Sequence, residues 1–227
     1  MDSLAERLAQ TRASISDECV RLGRIEPTLI VVTKNHSVDL AKNLFELGER
    51  DFGENRVQEA APKAEAFEAL QLEDPPRWHL IGQLQTNKVK QALGFATTIH
   101  SLDRDSLLQE LVKRTDDRQT PLGVFIQVNL TKDENRGGIQ PEAVPAFANK
   151  VANAKTLNLL GLMAVASVDI EPTREFERVA TLSQNLVGEH PTATELSIGM
   201  SNDYLEALQF GATHLRIGTA ITGNRQY

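Results

Sequence analysis

Lys34 is the residue of this sequence whose type and position point most directly to chemistry. It directly follows Thr28–Thr33, a run of apolar and β-branched residues. Such a run predicts a buried strand, so we expect the aliphatic part of the Lys34 side chain to start from an apolar surface that excludes water. Desolvation disfavours the ammonium form and leaves the neutral amine that can capture an aldehyde. A lysine that extends its charge into water at a strand end is the alternative, and position alone leaves both open.

Two segments that combine glycine with hydroxyl side chains could bind an anion. They are Gly218–Gly223 and Gly199–Ser201. Glycine lets the backbone come close to a ligand, and free backbone N–H groups before a short helix attract negative charge. In parallel barrels the loops after the last two strands often bind phosphate, so Ser201, Gly218 and Thr219 predict a phosphate site. Two tight turns that use glycine for steric reasons are the alternative.

Arg216 completes the set of candidate residues. It lies two residues before Gly218 in the last predicted strand, so both point to the same face. An arginine in so apolar a strand is costly unless it is paired or meets a ligand. A strand-end lysine beside a phosphate site suggests pyridoxal 5′-phosphate (PLP). His79 and His100 lie near predicted strand ends, but the five histidines lack regular spacing, so no metal site is predicted.

These residues need a scaffold, and the sequence predicts an alternation of strands and helices. The predicted strands are 28–33, 51–53, 78–82, 97–100, 122–129, 159–165, 195–199 and 214–218. The predicted helices between them are 37–47, 57–70, 87–93, 103–114, 141–153, 173–187 and 203–210. An extra helix precedes them, with a capping box at Ser3 and Glu6 and an end at Gly23.

Eight strand–helix units favour an α/β fold with a parallel sheet that closes into a single (β/α)8 TIM-type barrel over residues 1–227. A doubly wound open sheet is the alternative, because the strands near residues 52 and 98 are the least distinct. In a barrel, sites lie at the carboxyl ends of the strands, where Lys34 and the glycine segments fall.

Composition narrows the function classes. The 24 Lys+Arg and 31 Asp+Glu give a net charge of −7, which argues against general nucleic-acid binding. Cys19, the single cysteine, has no disulfide partner within the chain, and we expect it in the core. The N-terminus has charges where a secretory peptide is apolar, and no long apolar run predicts a membrane span. We therefore expect a cytoplasmic protein, monomeric or weakly oligomeric, without membrane contact.

Five segments carry a resemblance to a known family. They are 52–59 (FGENRVQE), 78–88 (WHLIGQLQTNK), 161–164 (GLMA), 197–203 (SIGMSND) and 216–221 (RIGTAI). From about residue 29 to residue 223, in this order and at natural spacing, the sequence resembles the pyridoxal phosphate homeostasis protein family. The departures lie at residues 35–37 and 135–138, outside the lysine and the phosphate segments, and concern the entrance to the site.

The resemblance implies the barrel half of fold-type III PLP enzymes such as alanine racemase. It implies a protein that binds PLP, buffers or carries it, and takes part in vitamin B6 and amino-acid homeostasis without established catalysis. PLP-requiring apoenzymes are the implied partners. By motif, Lys34 would form the Schiff base, Asn55 would border the cofactor, and Arg216 would face the pyridine nitrogen. Ser201, Gly218 and Thr219 would hold the phosphate.

Three other functions stay open. A PLP-dependent amino-acid racemase needs acid–base groups on both faces of the cofactor, and in the racemases the second is a tyrosine from a C-terminal domain. We expect no such domain here, and Tyr204 and Tyr227 are poor substitutes. A Schiff-base aldolase acting on a sugar phosphate would use the same lysine for its Schiff base and the same glycine and hydroxyl segments for the phosphate. An interaction protein that retains only a vestigial site would not bind PLP.

Overall fold

The computed structural model describes residues 2–131, 133, 136–167 and 170–223, in which eight parallel strands form a closed barrel. The strands are β1 (Thr28–Val32), β2 (Asp51–Glu54), β3 (Arg77–Leu80), β4 (Ala96–Leu102), β5 (Leu122–Val128), β6 (Leu157–Ala164), β7 (Glu195–Ser197) and β8 (His214–Ile217). Strand β8 pairs with β1 over four residues, from Thr28 opposite His214 to Val31 opposite Ile217. This pairing closes the sheet, so the barrel prediction is confirmed and the open-sheet alternative is wrong.

The predicted helices are present with small shifts at their ends. The α-helices of the described residues are α1 (Leu4–Leu22), α2 (Val38–Glu46), α3 (Val57–Glu68), α4 (Val89–Ala92), α5 (Asp105–Thr115), α6 (Val144–Ala152), α7 (Pro172–Glu189), α8 (Tyr204–Gln209) and α9 (Thr219–Thr222). Short 3-10 turns at Thr86–Lys88 and Pro141–Ala143 lead into α4 and α6. None of these helices has the length and apolar content that crossing a bilayer requires.

The extra N-terminal helix α1 is tied to the chain segment after β8. It starts with the predicted capping box, in which the Glu6 N–H donates to Ser3 Oγ (3.2 Å) and the Ser3 N–H to Glu6 Oε2 (2.6 Å). Arg7 Nε donates to the Ile221 carbonyl of α9 at 2.7 Å. Cys19 is buried on the apolar face of α1, as predicted. Helix α1 therefore supports the segment in which the phosphate site is predicted.

Strand β2, one of the least distinct predictions, is held by aromatic packing. The Phe52 ring lies 5.4 Å from the Trp78 ring of β3 and 6.2 Å from the Phe67 ring of α3, measured between centroids. Phe67 and Trp78 meet edge to face at 5.8 Å. Each such pair adds about 0.5–1.5 kcal/mol beyond burial of area. This cluster positions β2, whose carboxyl end leads to Asn55.

Candidate functional site

One cavity lies at the carboxyl ends of the strands, and all six predicted site residues line it. Its volume is about 570 Å³, within the range of small-molecule sites. The predicted residues on its wall are Lys34, Asn55, Ser201, Arg216, Gly218 and Thr219. They come from the ends of four strands, so the closed barrel is what brings them together. Their individual binding roles stay predictions.

Lys34 lies on a turn at the rim of the cavity. Strand β1 ends at Val32, and the backbone from Thr33 turns back on itself, with the His36 N–H donating to the Thr33 carbonyl at 3.1 Å. The Lys34 side chain is exposed and makes no hydrogen bond or ion pair with the described residues. Of the two alternatives for Lys34, the structure therefore shows the lysine that extends its charge into water, because the turn carries Lys34 away from the apolar wall of the barrel.

A buried ion pair directly beneath Lys34 was not predicted from the sequence. Lys63 Nζ donates to Glu54 Oε1 (2.6 Å) and to the Thr33 carbonyl (2.7 Å), and Thr33 Oγ1 donates to the same carboxylate oxygen (2.6 Å). The Lys63 and Glu54 side chains are only 6 % and 1 % exposed. Burial raises the pKa of Glu54, and the hydrogen bonds from Lys63 and Thr33 work against that rise.

This ion pair ties together the carboxyl ends of β1 and β2. Thr33 and Glu54 are the residues immediately before Lys34 and Asn55, so the pair sets where both side chains start. The sequence carried one signal for it. Lys63 falls on the buried face of α3 together with Ala60 and Phe67, where a lysine is unexpected unless its charge is paired.

Asn55 reaches the cavity because Gly82 allows a close approach of two strand ends. A Cβ added at Gly82 would lie 2.3 Å from the Asn55 carbonyl oxygen and 2.8 Å from its Cα. The Ile81 N–H donates to the Glu54 carbonyl at 2.9 Å, which holds the two segments side by side. Glycine at position 82 is therefore a steric requirement of this corner of the site.

The two glycine and hydroxyl segments meet through Ser201. Its Oγ accepts the N–H of Gly218 at 3.2 Å and that of Ala220 at 3.3 Å. The Thr219 N–H between them has no acceptor among the described residues. The segment before Ser201 turns at Gly199, whose φ of 90° favours glycine. A hydroxyl oxygen thus sits among backbone donors at the place where the anion site is predicted.

Arg216 is a buried cation on the cavity wall, only 4 % exposed. Nη1 donates to the Ser197 carbonyl and to Ser197 Oγ, each at 2.6 Å, and Nη2 donates to the Ala164 carbonyl at 2.8 Å. Burial lowers the pKa of Arg216 to about 10, and the charge of Asp203 works against that fall, so the group stays charged at neutral pH. No carboxylate forms an ion pair with Arg216 within the described chain.

A chain of hydrogen bonds links Arg216 to the opposite end of the barrel. His100 Nδ1 lies 2.9 Å from Ser197 Oγ, and His100 Nε2 lies 3.0 Å from His79 Nδ1. His79 Nε2 in turn lies 2.9 Å from Asp51 Oδ1, at the start of β2. Both histidines lie near strand ends, as predicted, since His79 is one residue before the end of β3 and His100 two residues before the end of β4. Their burial among polar partners was not predicted.

The imidazoles of His100 and His214 are neutral at neutral pH. Burial lowers the pKa of His100 well below 6.5, and the same cause lowers that of His214 to about 4. Burial by itself raises the pKa of Asp51, but hydrogen bonds from Arg77 and His79 outweigh it and hold that pKa far below its usual range. No group of side chains in the described residues is arranged to hold a metal ion.

Comparison with known proteins gives consistent matches over nearly the whole chain. The family described as alanine racemase, N-terminal domain, matches residues 12–226. The pyridoxal phosphate homeostasis protein of Aquifex aeolicus is 36% identical over 230 residues, which cover 98% of this chain and 98% of that protein. The structure of PipY from Synechococcus elongatus with PLP bound is 32% identical, with a TM-score of 0.85, and the match covers 97% of this chain and 100% of that one.

Alanine racemase from E. faecalis is a more distant structural match. It is 19% identical with a TM-score of 0.68, and the match covers 94% of this chain and 57% of the racemase. At this identity the likeness extends to the barrel fold alone.

Proposed function

This chain belongs to the pyridoxal phosphate homeostasis protein family, and we propose that it binds PLP at the carboxyl ends of its barrel strands and buffers the reactive aldehyde. In this proposal it acts in the cytoplasm, passes PLP to apoenzymes that require it, and so takes part in vitamin B6 and amino-acid homeostasis. One observation carries the proposal. A single cavity brings together an unpartnered lysine amine, backbone donors around a hydroxyl, and a buried cation.

The residues present fit the chemical groups of PLP. When bound, the cofactor supplies an aldehyde that condenses with a primary amine, releasing water. Lys34 provides the amine at the rim, and its freedom from protein partners leaves it able to reach a ligand. Ser201, Gly218 and Thr219 provide hydroxyl and backbone donors for the phosphate, with the Thr219 N–H still available. Asn55 borders the same space.

Arg216 is proposed to face the pyridine nitrogen. Two of its donors, Nε–H and one hydrogen on Nη2, have no acceptor among the described residues, although the side chain lines the cavity. A fixed cation at this place disfavours a second positive charge on the ring nitrogen. Without that proton the ring is a weaker electron sink, which limits the chemistry that depends on it.

The composition of the cavity wall also supports carriage over racemisation. Lys34, Asp203 and Arg216 are the titratable side chains on the wall formed by the described residues. Asp203 already accepts the Met200 N–H at 2.6 Å, and Tyr204 is not part of the wall. Asp203 is therefore the one carboxyl of the described wall, and no tyrosine there supplies the second acid–base group that removal and return of a proton on opposite faces would require. Tyr227 lies outside the described residues.

The proposal is tested by the absorption spectrum of the purified protein, before and after addition of PLP and after borohydride reduction, followed by peptide mass analysis. We expect a visible band that borohydride removes and a reduced adduct on Lys34. Lys34→Ala should lose both, while Lys88→Ala, which alters a half-buried lysine outside this cavity, should keep both. An adduct on Lys63, Lys88 or Lys90 would contradict the assignment. Protein that stays colourless after addition of PLP would indicate a vestigial site that does not bind the cofactor. Binding of a sugar phosphate without a visible absorption band would indicate an aldolase.

A further inference from the structure

We propose that the buried chain Ser197, His100, His79 and Asp51, named here the barrel relay, positions Arg216 toward the cavity. The inference rests on the proposed function, because it concerns how the Arg216 cation meets a bound cofactor. The Ser197, His100 and His79 side chains are buried, the Asp51 side chain is 14% exposed, and none of the four lines the cavity. They are positioning residues that act through Arg216.

The hydrogen positions in the barrel relay follow from its two ends. Asp51 is a carboxylate and only accepts, so His79 donates to it from Nε2. At the other end Arg216 Nη1 can only donate, so Ser197 Oγ accepts from it, and the hydroxyl hydrogen goes to its remaining partner, His100 Nδ1. Burial holds the pKa of His100 well below 6.5, so its neutral ring carries its one hydrogen on Nε2 and donates it to His79 Nδ1.

A lone pair of Ser197 Oγ accepts the hydrogen from Arg216 Nη1, with the two atoms 2.6 Å apart. All the bonds of the barrel relay therefore run in one direction, from the Arg216 cation to the Asp51 carboxylate. Hydrogen bonds aligned in this way polarise one another and strengthen each member. At its far end Asp51 is fixed by Arg77, which donates from Nε at 2.8 Å and from Nη2 at 2.7 Å.

This direction determines how Arg216 is held. Its Nη1 hydrogens are both used by Ser197, through the carbonyl and the hydroxyl, and this sets the plane of the guanidinium. The remaining donors on Nε and Nη2 are then presented to the cavity. Packing reinforces the arrangement, because the His100 ring stacks on Phe125 with centroids 4.4 Å apart. Loss of the acceptor at His100 Nδ1 should release the Ser197 hydroxyl and loosen Arg216.

Two substitutions at one position separate this role from simple packing. His100→Asn places an amide oxygen near the position of Nδ1, so it keeps an acceptor for Ser197 and breaks the bond to His79. His100→Gln places an amide nitrogen near Nε2, so it keeps the bond to His79 and removes the acceptor for Ser197. Both are neutral and polar. Ser197→Ala removes the hydroxyl itself, and His214→Asn alters a neighbouring interior ring that lies outside the barrel relay.

The first readout uses PLP-free protein and follows proton exchange of the Arg216 guanidinium by NMR. We expect His100→Gln and Ser197→Ala to exchange at least tenfold faster than the unsubstituted protein, and His100→Asn and His214→Asn to stay within about threefold of it. The second readout follows the nitrogen NMR signal of PLP labelled at its ring nitrogen between pH 6 and 9. That signal should titrate only in His100→Gln and Ser197→Ala.

Equal behaviour of His100→Gln and His100→Asn in both readouts would overturn the inference. If His100→Gln does not fold, equal behaviour of Ser197→Ala and His100→Asn would overturn it instead.

These measurements distinguish failure of the barrel relay from failure of the proposed function. If guanidinium exchange follows the expected order but PLP does not bind, the proposed function is wrong and the barrel relay stands. If PLP binds at Lys34 but all the variants match the unsubstituted protein, only the barrel relay is wrong.

Discussion

The two sides of the cavity differ in how their buried positive charge is held. On the β1–β2 side the buried cation, Lys63, is neutralised by Glu54, and the exposed Lys34 above it has no partner among the described residues. On the β7–β8 side the buried cation, Arg216, is held by carbonyl and hydroxyl oxygens without a carboxylate. The first side leaves an amine free to move and react. The second side presents a fixed charge that a ligand can meet.

Breaking the neutralised side should give the largest effect on stability. Lys63→Met leaves Glu54 buried with Thr33 as its remaining partner, so we expect the free energy of unfolding to fall by about 3–5 kcal/mol. Urea unfolding measures this change. Lys88→Met is the matched control and should stay within about 0.5 kcal/mol, because Lys88 makes no ion pair in the described structure. A loss below about 1 kcal/mol in Lys63→Met would show that the pair does not hold the two strand ends.

The β7–β8 side can be probed through pH. His214 has a pKa of about 4 in the folded protein against 6.5 for the free side chain, so the unfolded chain takes up its proton first as the pH falls. Stability should therefore decrease from about pH 6.5 down to about pH 4, with His214 accounting for about 3 kcal/mol of the loss. Unfolding free energies measured across this range test the prediction. His214→Asn should flatten the slope, and an unchanged slope would contradict the burial of a neutral ring.

Gly218→Val should give a smaller effect, confined to the ligand. A Cβ at position 218 meets only Val32, at 3.5 Å, which is ordinary contact, so the fold should remain largely intact. The added side chain would occupy space beside the Ser201 hydroxyl, and we expect about tenfold weaker retention of PLP, or about 1.4 kcal/mol. Equilibrium dialysis measures retention. Gly188→Val, which places a side chain in open space on α7, serves as the control. Unchanged retention of PLP in Gly218→Val would show that the phosphate binds elsewhere.

The barrel was predictable because each strand and helix has a local signature. The apolar run before Lys34 and the capping box of α1 depend only on neighbours in the sequence. Strands β3, β7 and β8 end earlier than predicted, because residues such as Gly82 and Gly199 leave the sheet to shape the cavity wall. Local apolar pattern does not distinguish a strand residue from the first residue of such a loop.

The polar interior was not predictable in the same way. Ser197 and His100 are 97 residues apart, and Lys63 and Thr33 are 30 apart, so neither contact leaves a pattern along the chain. What the sequence did show was the cost of placing Arg216 in an apolar strand. The same argument applied to His79 and His100 would have indicated that they too are paired inside the barrel. The sequence left the exposure of Lys34 open, because it depends on the turn that follows β1.

In the proposed function, the free amine of Lys34 and the fixed cation of Arg216 hold PLP, and amino acids are not turned over. The most direct test incubates PLP-loaded protein with L-alanine in deuterated water and follows deuterium at the α-carbon together with formation of the D-isomer. We expect no sustained formation of D-alanine, because the described wall carries no tyrosine and its one carboxyl, Asp203, already accepts the Met200 N–H. Continued turnover to D-alanine that is lost in Lys34→Ala would contradict it and identify the protein as a racemase.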